Sequence, residues 1–147
     1  MKVLLISPGK AHDATVEEGI AEYSKRLPKK FALEWAFPKP ESKEVEGEAI
    51  AKLLKEGDYV VLLDERGKDI DTLGFAKLLD TQLQAGTKRL VFIIGGAFGV
   101  SDAVKTSAKQ TIKLSSLVFP HMLVRLILSE QLYRASSILD GGKYHHA

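Results

Sequence analysis

Several groups in this 147-residue sequence have residue types and spacings that can do chemistry. His121 follows Pro120 at the start of a long apolar segment, where an imidazole serves either as a helix-start polar group or as an acid–base catalyst near neutrality. Arg125 and Ser129 form a polar stripe on that segment. The guanidinium can make a structural ion pair or position a ligand. Gly95-Gly96-Ala97-Phe98-Gly99 has three glycines in five residues, which permits positive φ and close backbone approach, so it reads as a tight turn or a cofactor loop. Leu62-Leu63-Asp64-Glu65-Arg66-Gly67 closes an apolar run. It is either a solvated turn or a place where Leu63 main-chain groups hydrogen-bond a flat ring. Leu114 to Pro120 is a third loop of this kind. Tyr144-His145-His146 follows Gly141-Gly142, as a frayed tail or as a segment that closes over a substrate.

Other chemistries are excluded by what the sequence lacks. It has no cysteine, which removes disulfides, thiolate metal sites and cysteine nucleophiles. No H-x-x-x-H or H-x-H pair with supporting carboxylates occurs, so no catalytic metal is expected. Neither G-x-S-x-G nor a G-x-G-x-x-G fingerprint is present, and no Lys-Ser/Thr pair follows the glycine loop to make a phosphate-binding P-loop. The net charge of +2 is too small for a binder that relies on bulk phosphate neutralisation. Arg125, Glu130 and Arg134 interrupt the longest lipophilic stretch, Phe119 to Leu139, so no membrane span is expected. The apolar start is too short for a signal peptide, and a cytoplasmic protein is expected.

The elements that would position these groups alternate strand and helix. Strands are predicted at Val3–Ser7, Phe31–Phe37, Tyr59–Leu63, Leu90–Ile94 and Thr111–Leu114. Helices are predicted at Thr15–Leu27, from a Ser42 cap to about Glu56, from an Asp71 or Thr72 cap to about Gln84, from a Ser101 cap to about Lys109, and over 120–139. Asp64 to Gly67 reads as a turn. The pattern is a single α/β domain over 1–147 with a mostly parallel sheet. Ligands in such sheets bind beyond the carboxyl ends of the strands, where three of the groups above fall. The last helix is apolar nearly all round, so a second subunit is expected to cover it.

The order L-D-x-x-G-K (Leu63 to Lys68), I-G-G-A-x-G (Ile94 to Gly99) and L-S-x-x-x-F-P-H (Leu114 to His121) is distinctive. It continues with x-x-x-R-x-x-L-x-E-Q-x-Y-R-A (Met122 to Ala135) and ends in Y-H-H (Tyr144 to His146). This resembles the RlmH family of SPOUT methyltransferases, which methylate N3 of a pseudouridine in large-subunit ribosomal RNA. The resemblance implies a sheet of five to six strands with helices on both faces and a C-terminal deep trefoil knot. It implies S-adenosylmethionine bound against Leu63, Gly95, Gly96 and the run Leu114, Ser115, Ser116, Leu117, Val118 and Phe119. It also implies a homodimer with the last helix in the interface, acting on the ribosome without a metal.

Methyl transfer to an imide nitrogen needs the reactants in line and the nitrogen stripped of its proton. The candidate proton acceptors are His121 and His145, with Arg125, Tyr144 and His145 positioning the nucleotide. Lys25, Arg26, Lys29 and Lys30 are a local basic cluster for RNA, or a solvated helix end. The remaining readings are a SPOUT methyltransferase for another RNA such as tRNA, and a ribosome-assembly module without catalysis.

Overall fold

Runs of Val, Leu, Ile and Phe with few charges make the central strands of one five-stranded sheet, which are buried on both faces. The computed structural model describes residues 1–10, 13–96 and 98–144. The strands are β1 (Lys2–Ile6), β2 (Ala32–Ala36), β3 (Tyr59–Asp69), β4 (Arg89–Ile94) and β5 (Gln110–Lys113). They lie in the order β2-β1-β4-β3-β5, and every pairing is parallel. The helices are α1 (Ala14–Arg26), α2 (Lys43–Leu53), α3 (Thr72–Gln84), α4 (Asp102–Ser107) and α5 (His121–Leu139). The expected α/β class with a parallel sheet and helices on both faces is what forms.

Strand alternation divides the core in two. Val3, Leu5, Val61, Leu90 and Phe92 meet Phe75 and Leu79 of α3 and Leu128 and Leu132 of α5. Leu4, Ile6, Val60, Leu62, Val91 and Ile93 meet Ile50 of α2 and Val104 of α4. On the first face α5 packs against both α1 and α3. Among the described residues no helix is long and apolar enough to cross a membrane.

Local signals placed most helix starts. Ser42, Asp71 and Ser101 each accept a backbone N–H of the first turn, as expected, and Asp13 caps α1. Two helices stop earlier than the periodicity predicts. Helix α2 ends at Leu53 because Asp58 Oδ2 takes the Lys55 N–H at 2.7 Å and Gly57 turns the chain at φ +86°. Helix α4 ends at Ser107 because the Lys109 N–H is drawn into the sheet, donating to Val60 O at 2.8 Å.

The expectation of a turn at Asp64–Gly67 is overturned, because β3 runs on to Asp69. Leu63 and Lys68 both register with Ile112 of β5, so the four intervening residues bulge outward while pairing resumes beyond them. Gly67 makes this possible. A Cβ there would lie 2.6 to 2.8 Å from the Ile112 backbone, atoms that no rotamer change can move aside. The bulge thereby sets how far β5 approaches β3, and so where Leu114 emerges. Replacing Gly67 with Ala is expected to cost about 1–3 kcal/mol of unfolding free energy, as overpacking does. Urea melts check this, and a loss below about 0.5 kcal/mol, within the scatter of neutral surface changes, would show that the two backbones are not packed this closely.

Candidate functional site

Beyond the carboxyl ends of β3, β4 and β5 lies a cleft of about 820 Å³, within the roughly 300–1,000 Å³ usual for small-molecule sites. Three segments wall it: Leu63 to Arg66 from the β3 bulge, Ile94 to Gly96 with Gly99 and Val100, and Lys113 to His121, with Val124 of α5 behind. All the residues expected to contact a cofactor therefore line one cavity: Leu63, Gly95, Gly96, and Leu114 through Phe119.

The glycine loop is closed on itself. The Gly99 N–H donates to Gly96 O at 3.0 Å, and Gly99 sits at φ +81°. Cβ atoms would be crowded on the outer side of this loop: one at Gly95 would lie 3.1 Å from Val100 Cγ1, and one at Gly96 2.6 Å from Glu46 Oε1, so that a side chain would have to shift. The opposing segment turns at Ser115, whose Oγ accepts the Leu117 N–H at 2.9 Å, and it leaves Leu117 and Val118 exposed. Lys113 Nζ, at the rim, donates to Ser116 Oγ at 3.4 Å and pairs with Asp69 at 3.0 Å. Among the described residues no group of His, Asp and Glu could hold a metal ion. The walls are main chain and short or apolar side chains. Such a surface recognises a flat heterocycle by backbone hydrogen bonds and apolar contact.

His121 lines the cleft at the first residue of α5 and is the single imidazole among the described residues. Arg125 does not line it. Its side chain is fully buried under the β1–α1 turn. Nε donates to Ser7 Oγ at 2.8 Å, and Nη2 donates to Pro8 O at 2.9 Å and Gly9 O at 2.7 Å, with Ser7 O at 3.4 Å. The guanidinium also stands over the Phe37 ring, 4.7 Å from its centroid. No carboxylate pairs with it among the described residues, so the expected ion pair is not what buries it. Burial pushes its pKa below the usual arginine value. Arg89 is the contrast: its bond to Asp58 at 2.6 Å raises its pKa.

Arg125 and His121 converge on one backbone position. A Cβ at Gly9, which sits at φ +98°, would lie 3.8 Å from Arg125 Nη2, 3.9 Å from His121 Nε2 and 3.6 Å from Pro40 Cγ.

Tyr144 stands elsewhere. Its OH donates to Glu130 Oε1 at 3.2 Å, its ring meets Tyr133 edge-on at 4.8 Å, and Arg134 lies 4.5 Å over its face. Glu130 and Arg134 make an i,i+4 pair at 2.6 Å. Glu130 is nine residues, about 14 Å of helix, beyond His121. Within one chain, Tyr144 is therefore not brought to the cleft. Burial first, then the Tyr23 hydrogen bond and the Glu130 carboxylate, push its phenol up to about 12. It stays protonated at neutral pH, a hydrogen-bond donor and not a base. His145 lies outside the described residues.

Sequence reading missed Glu46, whose carboxylate backs the glycine loop from α2 with only 4% exposure. Helical spacing puts Val45 on the apolar face of α2 with Ala49, Ile50, Leu53 and Leu54; Ile50 is buried, but Val45 is exposed. Gly47 was the available signal, since a glycine inside a helix often marks a close approach.

Comparison with known proteins points the same way. The family described as "Predicted SPOUT methyltransferase" matches residues 1–145. A "Ribosomal RNA large subunit methyltransferase H" of Parabacteroides distasonis is 40% identical over 156 aligned residues, covering 99% of each chain. Proteins with the same name from Geotalea daltonii and Cytophaga hutchinsonii are 39% and 37% identical, each covering 99% of this chain and 100% of the relative.

The Arg125 contacts make a prediction independent of any ligand. Arg125→Met leaves the Ser7–Gly9 carbonyls without their donor, and Arg125→Lys offers one point donor where a planar fork is needed. Both variants are expected to lose about 2–4 kcal/mol in denaturant unfolding. A lysine variant as stable as the parent would show that the fork geometry is not used.

Proposed function

The chain belongs to the SPOUT methyltransferase family, and from that membership we propose that it is an S-adenosylmethionine-dependent enzyme methylating N3 of a pseudouridine in large-subunit ribosomal RNA. The observation that carries this reading is the convergence of the three motif-bearing segments on one main-chain-lined cleft, in a chain matched end to end by relatives bearing the rRNA methyltransferase name. That substrate places its work in the cytoplasm, where ribosomes are.

When bound, S-adenosylmethionine supplies a methyl group on a sulfonium, an electrophile that needs no metal. The chain's part is to hold, orient and deprotonate. Main-chain groups at Leu63, Gly95, Gly96 and the Leu114–Phe119 segment hold the adenosine portion. The apolar side chains of Leu63, Ile94, Val100 and Val124 keep water from the reacting centre. His121 is the described side chain on the cleft suited to accept the N3 proton. Arg125 acts from beneath, fixing the turn whose Gly9 approaches His121.

A homodimer completes the reading. Helix α5 leaves Leu123 exposed, and the segment before it leaves Leu117 and Val118 exposed, apolar side chains that a second copy would cover. The tail residues Tyr144 and His145 remain assigned to the nucleotide.

Methylation with labelled S-adenosylmethionine, offering isolated ribosomal RNA, separate subunits, whole ribosomes and tRNA in parallel, tests the reading. Label is expected in large-subunit RNA of ribosomal particles. Transfer to tRNA alone would replace the substrate, and transfer to none of them would remove the activity. His121→Ala and His145→Ala are each expected to lower kcat by about 10²-fold or more, as loss of general-base catalysis does. Cofactor affinity should hold. Unchanged turnover removes the residue from the site.

A further inference from the structure

Glu46 is a buried acidic residue that the reaction outlined above does not use. The residue is 4% exposed, and among the described residues no Lys or Arg pairs with its carboxylate. A buried carboxylate is costly unless its oxygens are satisfied. Two features offset part of that cost. Glu46 sits in the first turn of α2, where the helix dipole favours negative charge, and its Oε2 accepts the Glu41 N–H at 2.9 Å.

The position of the other oxygen is the informative one. A Cβ on Gly96 would meet Glu46 Oε1 at 2.6 Å and Oε2 at 3.1 Å, so the carboxylate fills the space directly behind the glycine loop. The next residue of α2 does the same at the far end of that loop. A Cβ on Gly47 would overlap Ser101 Oγ, the cap of α4. Consecutive residues of one helix thus brace both ends of the segment from Gly96 to Ser101. Through Glu41 the same carboxylate is tied to the connection between β2 and α2, and that connection carries Pro40 to the Gly9 turn.

We infer that Glu46 is a positioning residue for methyl-donor binding: its carboxylate shape holds Gly96 against the cleft and couples the glycine loop to the β2–α2 connection. The inference rests on the proposed function in taking S-adenosylmethionine as the ligand of the glycine loop. Because the contact is one of shape and hydrogen-bond acceptance, an amide of equal length serves in place of the carboxylate. An aspartate keeps the charge but withdraws both oxygens from Gly96 and from the Glu41 N–H.

The test is calorimetric titration of the full chain with S-adenosylmethionine, at a temperature where circular dichroism shows every variant folded. Wild type, Glu46→Gln, Glu46→Asp, Gly96→Ala and the double variant Glu46→Asp/Gly96→Ala are compared. Glu46→Gln is expected to bind within about twofold of wild type, and Glu46→Asp and Gly96→Ala about tenfold more weakly. The double variant should bind more tightly than Gly96→Ala alone, because the shortened side chain makes room for the added methyl. In turnover, Glu46→Asp should raise KM for the methyl donor more than it lowers kcat. Wild-type affinity in Glu46→Asp or in Gly96→Ala overturns the inference, as does a weakened Glu46→Gln beside an intact Glu46→Asp. A wild-type chain that does not bind S-adenosylmethionine overturns the functional reading instead, before any variant is compared.

Discussion

The hydrogen bonds from Arg125 to the carbonyls of Ser7, Pro8 and Gly9 are the contact on which the working end of the molecule depends. They join the first turn of the chain to its last helix, across more than one hundred residues of sequence. An arginine with no carboxylate partner is an expensive thing to bury. It is tolerable here because three carbonyl dipoles, a hydroxyl and an aromatic face surround the guanidinium, so that its donors are met without a second ion. The alternative arrangement is seen at the opposite end of the sheet, where Arg89 meets Asp58 as an ion pair. A carboxylate beside Arg125 would neutralise the positive charge. Carbonyls leave it in place.

Fixing the start of α5 fixes what precedes it. The segment from Leu114 to Pro120 is held at one end by β5 and at the other by α5, so its position follows from the β3 bulge and from Arg125. The glycine loop, by contrast, is set from the far side of the sheet, by α2 and α4. The cleft is thus assembled from both faces of the domain, each wall answering to a different core. Neither wall needs a long side chain to reach in, which suits a ligand read by main-chain groups. It also explains why the site contains so little recognisable side-chain chemistry. The specificity lies in backbone placement.

That division governs what could be read from the sequence. Period-two and helical patterns, and the caps at Ser42, Asp71 and Ser101, are local signals, and they placed the elements to within a few residues. The ordered motifs identified the three cleft segments, since each depends on short-range composition. What failed was long-range. The extension of β3 past Leu63 depends on Ile112 offering a second register. The partner of Arg125 is a set of carbonyls, which leave no trace in residue types. The burial of Glu46 in place of Val45 follows from how α2 sits over the glycine loop, a rotation that its own weakly amphipathic pattern does not specify. The motif groups Tyr144 with the catalytic residues, while its packing on Glu130 and Tyr133 is a tertiary fact.

The distribution of charge follows the same logic. Of the basic cluster near the end of α1, Arg26 pairs with Glu22 and Lys30 with Asp140. Seven ion pairs occur among the described residues, each using a different cation, against 21 lysines and arginines in the chain. Apart from the buried Arg89–Asp58 pair and the half-buried Arg134–Glu130 pair, these are surface pairs, weak and exchangeable, so they do not lock those cations away from a polyanion. They do lower the field that the cations project over distance, which falls off within about 8 Å at physiological salt. An RNA partner approaching such a surface meets little long-range attraction and must be recognised at contact. The cleft fits that requirement, since Leu117 and Val118 line it and are exposed, and its rim lysine, Lys113, is paired with Asp69. Recognition by shape and apolar contact favours a substrate held rigid before the enzyme arrives. RNA in a folded ribosomal particle, the substrate proposed above, would meet that condition.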